Sequence, residues 1–149
     1  MGYNLTIGEL EIQKSPEDGL DSDCIRFSAK GMHLDHAPAF GEPTDHTNER
    51  WPSYSAWSDF ARNAGLYHVL FDSMGRSLVG GHPGVRLVTK ELCDAVENAL
   101  ENHKKKYPDA RATFEGEKEE CATLCRLIWL DFWLKWAYEN CETPVLANS

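Results

Sequence analysis

The stretch from His33 to Trp51, which reads HLDHAPAFGEPTDHTNERW, contains side chains of the types that could do chemistry. It has three histidines, two aspartates and two glutamates, together with an arginine and two prolines. Imidazole and carboxylate groups suit a divalent metal such as zinc, whereas guanidinium and indole groups suit a planar anionic ligand. Three alternatives are therefore open: a metal site, a ligand-binding loop, or a polar connection between two folded elements.

The metal alternative depends on His33, Asp35, His36 and His46. Residues two apart on a strand share a face, so His33 and Asp35 could act together, with the other two histidines arriving from the loop. No HExxH pattern, nucleophile elbow, phosphate loop or dinucleotide fingerprint occurs in the sequence. We therefore assign no catalytic residue, no metal ligand and no cofactor. The sequence favours a protein that is not an enzyme, and a metal-dependent hydrolase stays as an alternative.

The ligand alternative depends on a run of basic and aromatic side chains that could stack a planar base and hold an anionic group. The predicted ligand-binding residues are His46, Arg50, Trp51, Tyr54, Trp57, Arg62, His82 and Arg86. Two of them, Tyr54 and Trp57, also lie on the inner stripe of a predicted helix, so packing in the core is an alternative role for both. Because Arg50 has no helical partner in an irregular loop, Arg50→Ala is expected to weaken binding and to leave folding nearly unchanged.

Two strands and three helices are predicted to position these residues. Apolar alternation over 3–13 and 24–34 indicates an antiparallel hairpin, with turn residues at Asp18-Gly19 between the strands. A loop of about eighteen residues follows, which is long enough to be functional. Helix one begins after a cap at Ser53, helix two after Thr89, and helix three runs from about Glu117 to Asn140.

Helix three is apolar nearly all round, which is typical of a helix buried in a core or an interface. Its side chains Trp129, Trp133 and Trp136 project within about 60° of one another. We predict one α+β domain over 1–149, in which the N-terminal hairpin packs on about three helices and this tryptophan-rich helix is central. A homo-oligomer formed through the tryptophan face is the alternative use of the same residues.

The composition excludes some classes of protein. The chain has 149 residues, with 24 acidic and 15 basic side chains and a net charge of −9, so it is not expected to bind a nucleic-acid backbone. The acidic side chains have two alternative roles: they keep the protein soluble, or they mimic nucleic acid towards a basic partner. The five cysteines contain no CxxC pair and predict reduced thiols in the cytoplasm. Neither a membrane span nor a secretory signal pattern is visible.

Four segments resemble small accessory proteins encoded by tailed bacteriophages and prophages. They are MGYNLTIGELEI, APAFGEPTDHTNERWPSYSAWSDFARNAGLY, HPGVRLVTKEL and WLKWAYENCETPVLANS. The resemblance implies a role in the cytoplasm of a bacterial host, in which such proteins often antagonise antiviral defence. It leaves two kinds of partner open: a small anionic nucleotide-type signal that the protein sequesters, or a host protein that it inhibits through an acidic or aromatic surface.

Overall fold

The computed structural model of the chain describes residues 2–16, 23–81, 84–114 and 118–149, with the backbone alone for 13–16 and 23–26. These residues form five strands and four helices. The strands are β1 (Leu5–Pro16), β2 (Asp23–Ala29), β3 (Glu49–Arg50), β4 (Gly84–Leu87) and β5 (Pro144–Asn148). The helices are α1 (Tyr54–Asn63), α2 (Tyr67–Leu70), α3 (Lys90–Lys106) and α4 (Glu119–Asn140). The predicted α+β class is confirmed.

The strands form one antiparallel sheet in the order β2-β1-β5-β4, with β3 also paired to β1. The predicted hairpin is present, with Leu10 of β1 opposite Ala29 of β2. Its predicted turn at Asp18-Gly19 lies outside the described residues. The sequence did not predict β3, β4 or β5. Strand β5 lies between β1 and β4, and its side chains from Val145 to Asn148 are buried.

Helix α4 is the centre of the fold, as predicted. It packs against α3 on one side and against β1 and β5 on another. Trp129 is 1% exposed and Trp133 is fully buried, whereas Trp136 is only partly buried. Because Trp129 and Trp133 are buried in the core, they cannot contact a partner while the domain is folded. They therefore cannot form part of the predicted oligomer surface. The oligomer itself stays a prediction.

The predicted helix caps are present and explain where two of the helices begin. The Ser53 hydroxyl accepts a hydrogen bond from the Ala56 N–H at 3.1 Å, and the Thr89 hydroxyl accepts one from the Leu92 N–H at 3.2 Å. Each side chain satisfies one backbone donor that the first helical turn leaves free. No helix in the described part of the chain is long and apolar enough to cross a membrane.

The described cysteine side chains are all free thiols, and they belong to Cys93, Cys121, Cys125 and Cys141. The first three are buried, and Cys141 is partly buried. Burial raises the pKa of the Cys125 thiol to about 12. This thiol is therefore protonated at neutral pH and behaves as a small apolar core side chain.

The loop before α1 is held in place by Asn48, whose side chain is fully buried. The Asn48 amide oxygen accepts from the Met32 N–H at 2.8 Å, and its NH₂ group donates to the carbonyls of Ile7 and Lys30, both at 2.8 Å. A side chain at Gly8 would place its Cβ 2.9 Å from the Lys30 oxygen and 3.1 Å from the Asn48 amide nitrogen. Glycine at position 8 therefore permits the close approach of this loop to β1.

Candidate functional site

A cleft of about 310 Å³ opens between the loop before α1, the start of α1, and α4. The side chains that carry the arguments below are Glu42, Arg50, Trp51, Trp57, Phe114 and Arg126, all of which line it. Its volume lies near the lower end of the range of about 300–1,000 Å³ for small-molecule pockets.

Arg50 is a half-buried cation in the wall of this cleft. Its Nη1 atom donates to the carbonyl oxygens of Thr44 at 2.7 Å and Glu49 at 2.8 Å, while the buried Nη2 atom has no hydrogen-bond partner. Its guanidinium carbon lies 5.2 Å from the centroid of the Trp129 ring. Burial lowers the pKa of Arg50, although the guanidinium stays charged. No described carboxylate lies within ion-pair distance of it, although Glu42 and Asp45 attract its charge from farther away.

The same contacts change the expectation for Arg50→Ala. Arg50 is part of β3, where it lies opposite Leu5, and its side chain fastens the loop through two backbone carbonyls. Removing the side chain would leave those carbonyls without this donor. We therefore expect Arg50→Ala to destabilise the fold as well as the cleft, and Arg50 is not the clean test of binding that its loop position suggested.

Arg126 is the second cation of the cleft, and the sequence analysis did not predict it as a site residue. It is half-buried on α4, with its guanidinium carbon 5.7 Å from the centroid of the Phe114 ring. Burial lowers the pKa of Arg126, and the attraction of Glu42 opposes this shift. Its side chain makes no hydrogen bond or ion pair with any described residue. A single charged residue within the apolar run 124–130 of α4 was the signal that could have identified it.

Two tryptophans supply the aromatic surface of the cleft. Trp51 is 62% exposed, so one face of its indole is open to a stacking partner. Trp57 is 2% exposed, and its buried Nε1–H has no hydrogen-bond partner. An unsatisfied buried donor costs free energy, and a ligand with acceptor atoms could relieve that cost after a local shift of the wall.

Asp45 holds the turn that forms one wall of the cleft. Its carboxylate accepts hydrogen bonds from the backbone N–H groups of Phe40 at 2.7 Å, Gly41 at 2.8 Å and Glu42 at 3.0 Å. Burial alone would raise the pKa of Asp45, but these three hydrogen bonds and the charge of Arg50 outweigh it, so the pKa lies below its ordinary value. The ionised carboxylate is therefore the form that supports the wall.

We expect Asp45→Asn to lower the free energy of unfolding at pH 7 by about 1.5–3 kcal/mol, the range for hydrogen bonds to a charged group. Since the folded-state pKa is depressed, the contribution of Asp45 is complete above its unfolded pKa of about 3.9 and is lost as the pH falls through the folded pKa. Urea unfolding between pH 7 and pH 3 should therefore show a difference between wild type and variant that shrinks towards low pH.

The matched control is Asp109→Asn. Asp109 is exposed and makes no hydrogen bond or ion pair with a described residue. Its replacement should change the free energy of unfolding by no more than about 0.5 kcal/mol at each pH. A difference for Asp45→Asn that stays constant from pH 7 to pH 3 would contradict the role given to its charge.

Of the seven predicted ligand-binding residues that the structure describes, three lie together in this cleft: Arg50, Trp51 and Trp57. Three of the others are directed elsewhere by their own contacts. Tyr54 packs on Tyr3 with ring centroids 4.7 Å apart, Arg62 lies over the Tyr67 ring at 4.7 Å, and a ring nitrogen of His46 lies 3.0 Å from the Ala37 carbonyl oxygen.

The last two predicted residues also lie apart from the cleft or cannot be placed. Arg86 donates from Nη1 to the Val69 carbonyl, which uses part of its guanidinium inside the protein. His82 lies outside the described residues. Arg62, Arg86 and His46 thus make their contacts away from this cleft, and the assignment of the predicted residues to a ligand stays a prediction.

The histidines of the opening stretch are near one another without forming a ligand set. The His33 and His46 ring centroids are 5.6 Å apart, His33 lies 3.7 Å from the Asp35 carboxylate, and His36 packs edge-on against Phe132. Within the described ranges, no group of three or more histidine, cysteine, aspartate or glutamate side chains could hold a metal ion.

The chain was also compared with known families, proteins and folds. No family model, no curated protein and no solved structure matches it significantly.

Proposed function

We propose that this protein binds and sequesters a small anionic ligand of the nucleotide type, without catalysis, in the cleft between Arg50, Trp51 and Arg126. The observation that carries the proposal is the pair of half-buried guanidinium groups that line one cleft and have no carboxylate within ion-pair distance among the described residues. Partly desolvated cations attract an anion more strongly than cations in water do. An anionic group that enters the cleft would lie closer to both guanidinium groups than the described carboxylates, which attract them only from beyond ion-pair distance.

The aromatic side of the cleft supports a planar ligand rather than a bare anion. Trp51 offers an exposed indole face, and stacking of a base on an aromatic side chain contributes about 1–3 kcal/mol. Arginine favours phosphate because its planar fork can make two parallel hydrogen bonds. A nucleotide whose base stacks on Trp51 and whose phosphate faces the arginines would contact both the aromatic and the cationic side chains of the cleft.

Binding is a better use of this cleft than catalysis. Among the described residues that line it, none is a histidine, cysteine or lysine, and Glu42, which has their only carboxylate, makes no hydrogen bond to the Thr44 or Ser53 hydroxyl. General acid–base chemistry needs such a group within hydrogen-bond reach of the substrate. The resemblance to phage accessory proteins supplies the context of the proposal: sequestration of a host signalling nucleotide in the cytoplasm of an infected bacterium, which would antagonise antiviral defence.

The test is calorimetry of the purified protein with nucleoside monophosphates, cyclic nucleotides and ADP-ribose-type nucleotides. We expect Arg126→Gln to weaken binding by about 1.5–3 kcal/mol, roughly ten- to a hundredfold, because it removes a charge-assisted contact. The fold should be unaffected, since the Arg126 side chain makes no hydrogen bond or ion pair with a described residue.

The matched control is Arg62→Gln. Arg62 is an arginine that the sequence analysis assigned to the site, but it is exposed and lies outside the cleft. Its replacement should leave the affinity unchanged. If no compound binds more tightly than roughly 1 mM, about −4 kcal/mol, the proposal fails.

A host-protein inhibitor is the second candidate, and one observation favours it. A surface groove of about 590 Å³ is lined by the apolar side chains of Ile128, Phe132 and Trp136 and by charged residues of both signs, Lys104, Lys135, Asp131 and Glu139. Partly buried aromatic side chains of this kind anchor many protein interfaces. Salt-sensitive capture of a host protein, without binding of any nucleotide, would favour this function. The metal-dependent hydrolase requires stoichiometric metal in the purified protein, which elemental analysis measures directly.

A further inference from the structure

We propose that the cleft selects guanine among the bases and that Glu42 is the residue that reads it. The inference rests on the proposed function and adds the identity of the base. Among the described residues that line the cleft, Glu42 has the only carboxylate. Its side chain is half-buried, yet it makes no hydrogen bond and no ion pair with any described residue. The Glu42 carboxylate is therefore a hydrogen-bond acceptor, whereas the other polar side chains discussed above, those of Arg50, Arg126 and Trp57, are donors.

The backbone of Glu42 is fixed, which distinguishes it from a solvated loop glutamate. Its N–H donates to the Asp45 carboxylate at 3.0 Å, and its carbonyl accepts from the Asp45 N–H at 3.0 Å. Fixing the peptide groups on both sides of Glu42 reduces the entropy that the residue loses when its side chain binds a ligand. Asp45 therefore acts as a positioning residue for Glu42.

The chemistry of a carboxylate decides which base suits Glu42. An ionised carboxylate only accepts hydrogen bonds, and its two oxygens can accept from two parallel donors. On its Watson–Crick edge guanine presents two neighbouring donors, the N1–H and the 2-amino group. Adenine and cytosine present one amino group beside an acceptor nitrogen, and uracil presents a single N–H between two carbonyls. Only guanine offers both carboxylate oxygens a donor without placing an acceptor against them.

The charges in the cleft set the orientation of such a ligand. Glu42 attracts both Arg50 and Arg126, since its charge raises the pKa of each guanidinium against the effect of burial. A phosphate is repelled by the Glu42 carboxylate and attracted by the arginines, so it turns away from Glu42. The base edge then faces the carboxylate while the base face lies on Trp51.

Calorimetry with guanosine, inosine and adenosine 5′-monophosphates tests this inference, because inosine lacks only the 2-amino donor of guanine. We expect guanosine monophosphate to bind at least about tenfold more tightly than adenosine monophosphate, with inosine monophosphate between them. Glu42→Gln should reduce this preference to less than about threefold while adenosine monophosphate still binds, because the amide replaces one acceptor by a donor.

The matched control is Glu49→Gln in the same loop. Glu49 is half-buried but does not line the cleft, so the preference for guanine should persist in this variant. Equal binding of all three nucleotides by the wild type would overturn the guanine inference and leave the proposed function standing. Absence of binding by any nucleotide would overturn both. If Glu42→Gln changed the affinity for all three nucleotides by the same factor, Glu42 would act through charge or structure alone, and the inference would be wrong.

Discussion

Replacing Trp133 with alanine is expected to lower the free energy of unfolding by about 3–5 kcal/mol, the usual cost of deleting a buried aromatic side chain. The Trp133 side chain is fully buried in α4. Its ring packs edge-on against Phe132 at 5.2 Å and Trp136 at 5.3 Å between centroids. Alanine removes most of this volume from a helix that contacts both α3 and the sheet, and the cavity cannot close without moving several elements.

Urea unfolding measures this difference, and Trp51→Ala is its matched control. Trp51 is 62% exposed, so its loss should change the free energy of unfolding by less than about 0.5 kcal/mol. The same variant should weaken nucleotide binding by about 1–3 kcal/mol, because the indole of Trp51 provides the stacking surface in the proposed complex. If Trp133→Ala unfolded at the same urea concentration as Trp51→Ala, α4 would not be the centre of the core.

The elements that could be predicted from sequence are those whose signal is local. The hairpin is visible from period-two alternation, and α1, α3 and α4 from helical periodicity with the caps Ser53 and Thr89. The strands that were missed are two to five residues long and exist only through pairing with distant segments. Strand β5 pairs Asn148 with Leu5, almost the whole length of the chain away, and no local pattern reports that contact.

The candidate site divides in the same way. Arg50, Trp51 and Trp57 are close in sequence, so one short stretch predicted that they share a cleft. Arg126 joins them only because the long helix α4 passes behind the loop. Conversely, Arg86 lies on β4 outside the cleft, where its guanidinium donates to the Val69 carbonyl. The sequence shows where the arginines are in the chain. Which of them already donate hydrogen bonds to backbone carbonyls can be seen only in the three-dimensional structure.

Asn48→Ala is the second substitution with a large expected effect, about 3 kcal/mol of lost stability. The Asn48 amide serves three backbone groups, the Met32 N–H and the carbonyls of Ile7 and Lys30. Alanine cannot replace any of these hydrogen bonds, and a buried polar group left without a partner costs about 1–3 kcal/mol. Because Asn48 directly precedes β3, the variant should also weaken nucleotide binding through displacement of Arg50.

The matched control is Asn140→Ala at the end of α4. Asn140 is exposed, and its amide donates only to the Trp136 carbonyl in its own helix. Its replacement should be nearly neutral, since alanine favours the helix by about as much as the exposed hydrogen bond contributes. Urea unfolding of the two variants compares a buried with an exposed asparagine. Equal stabilities would mean that the loop is held without Asn48, by the backbone pairing of β3 with β1 and by the His33–Thr47 bridge. The shape of the cleft would then depend on this backbone pairing alone.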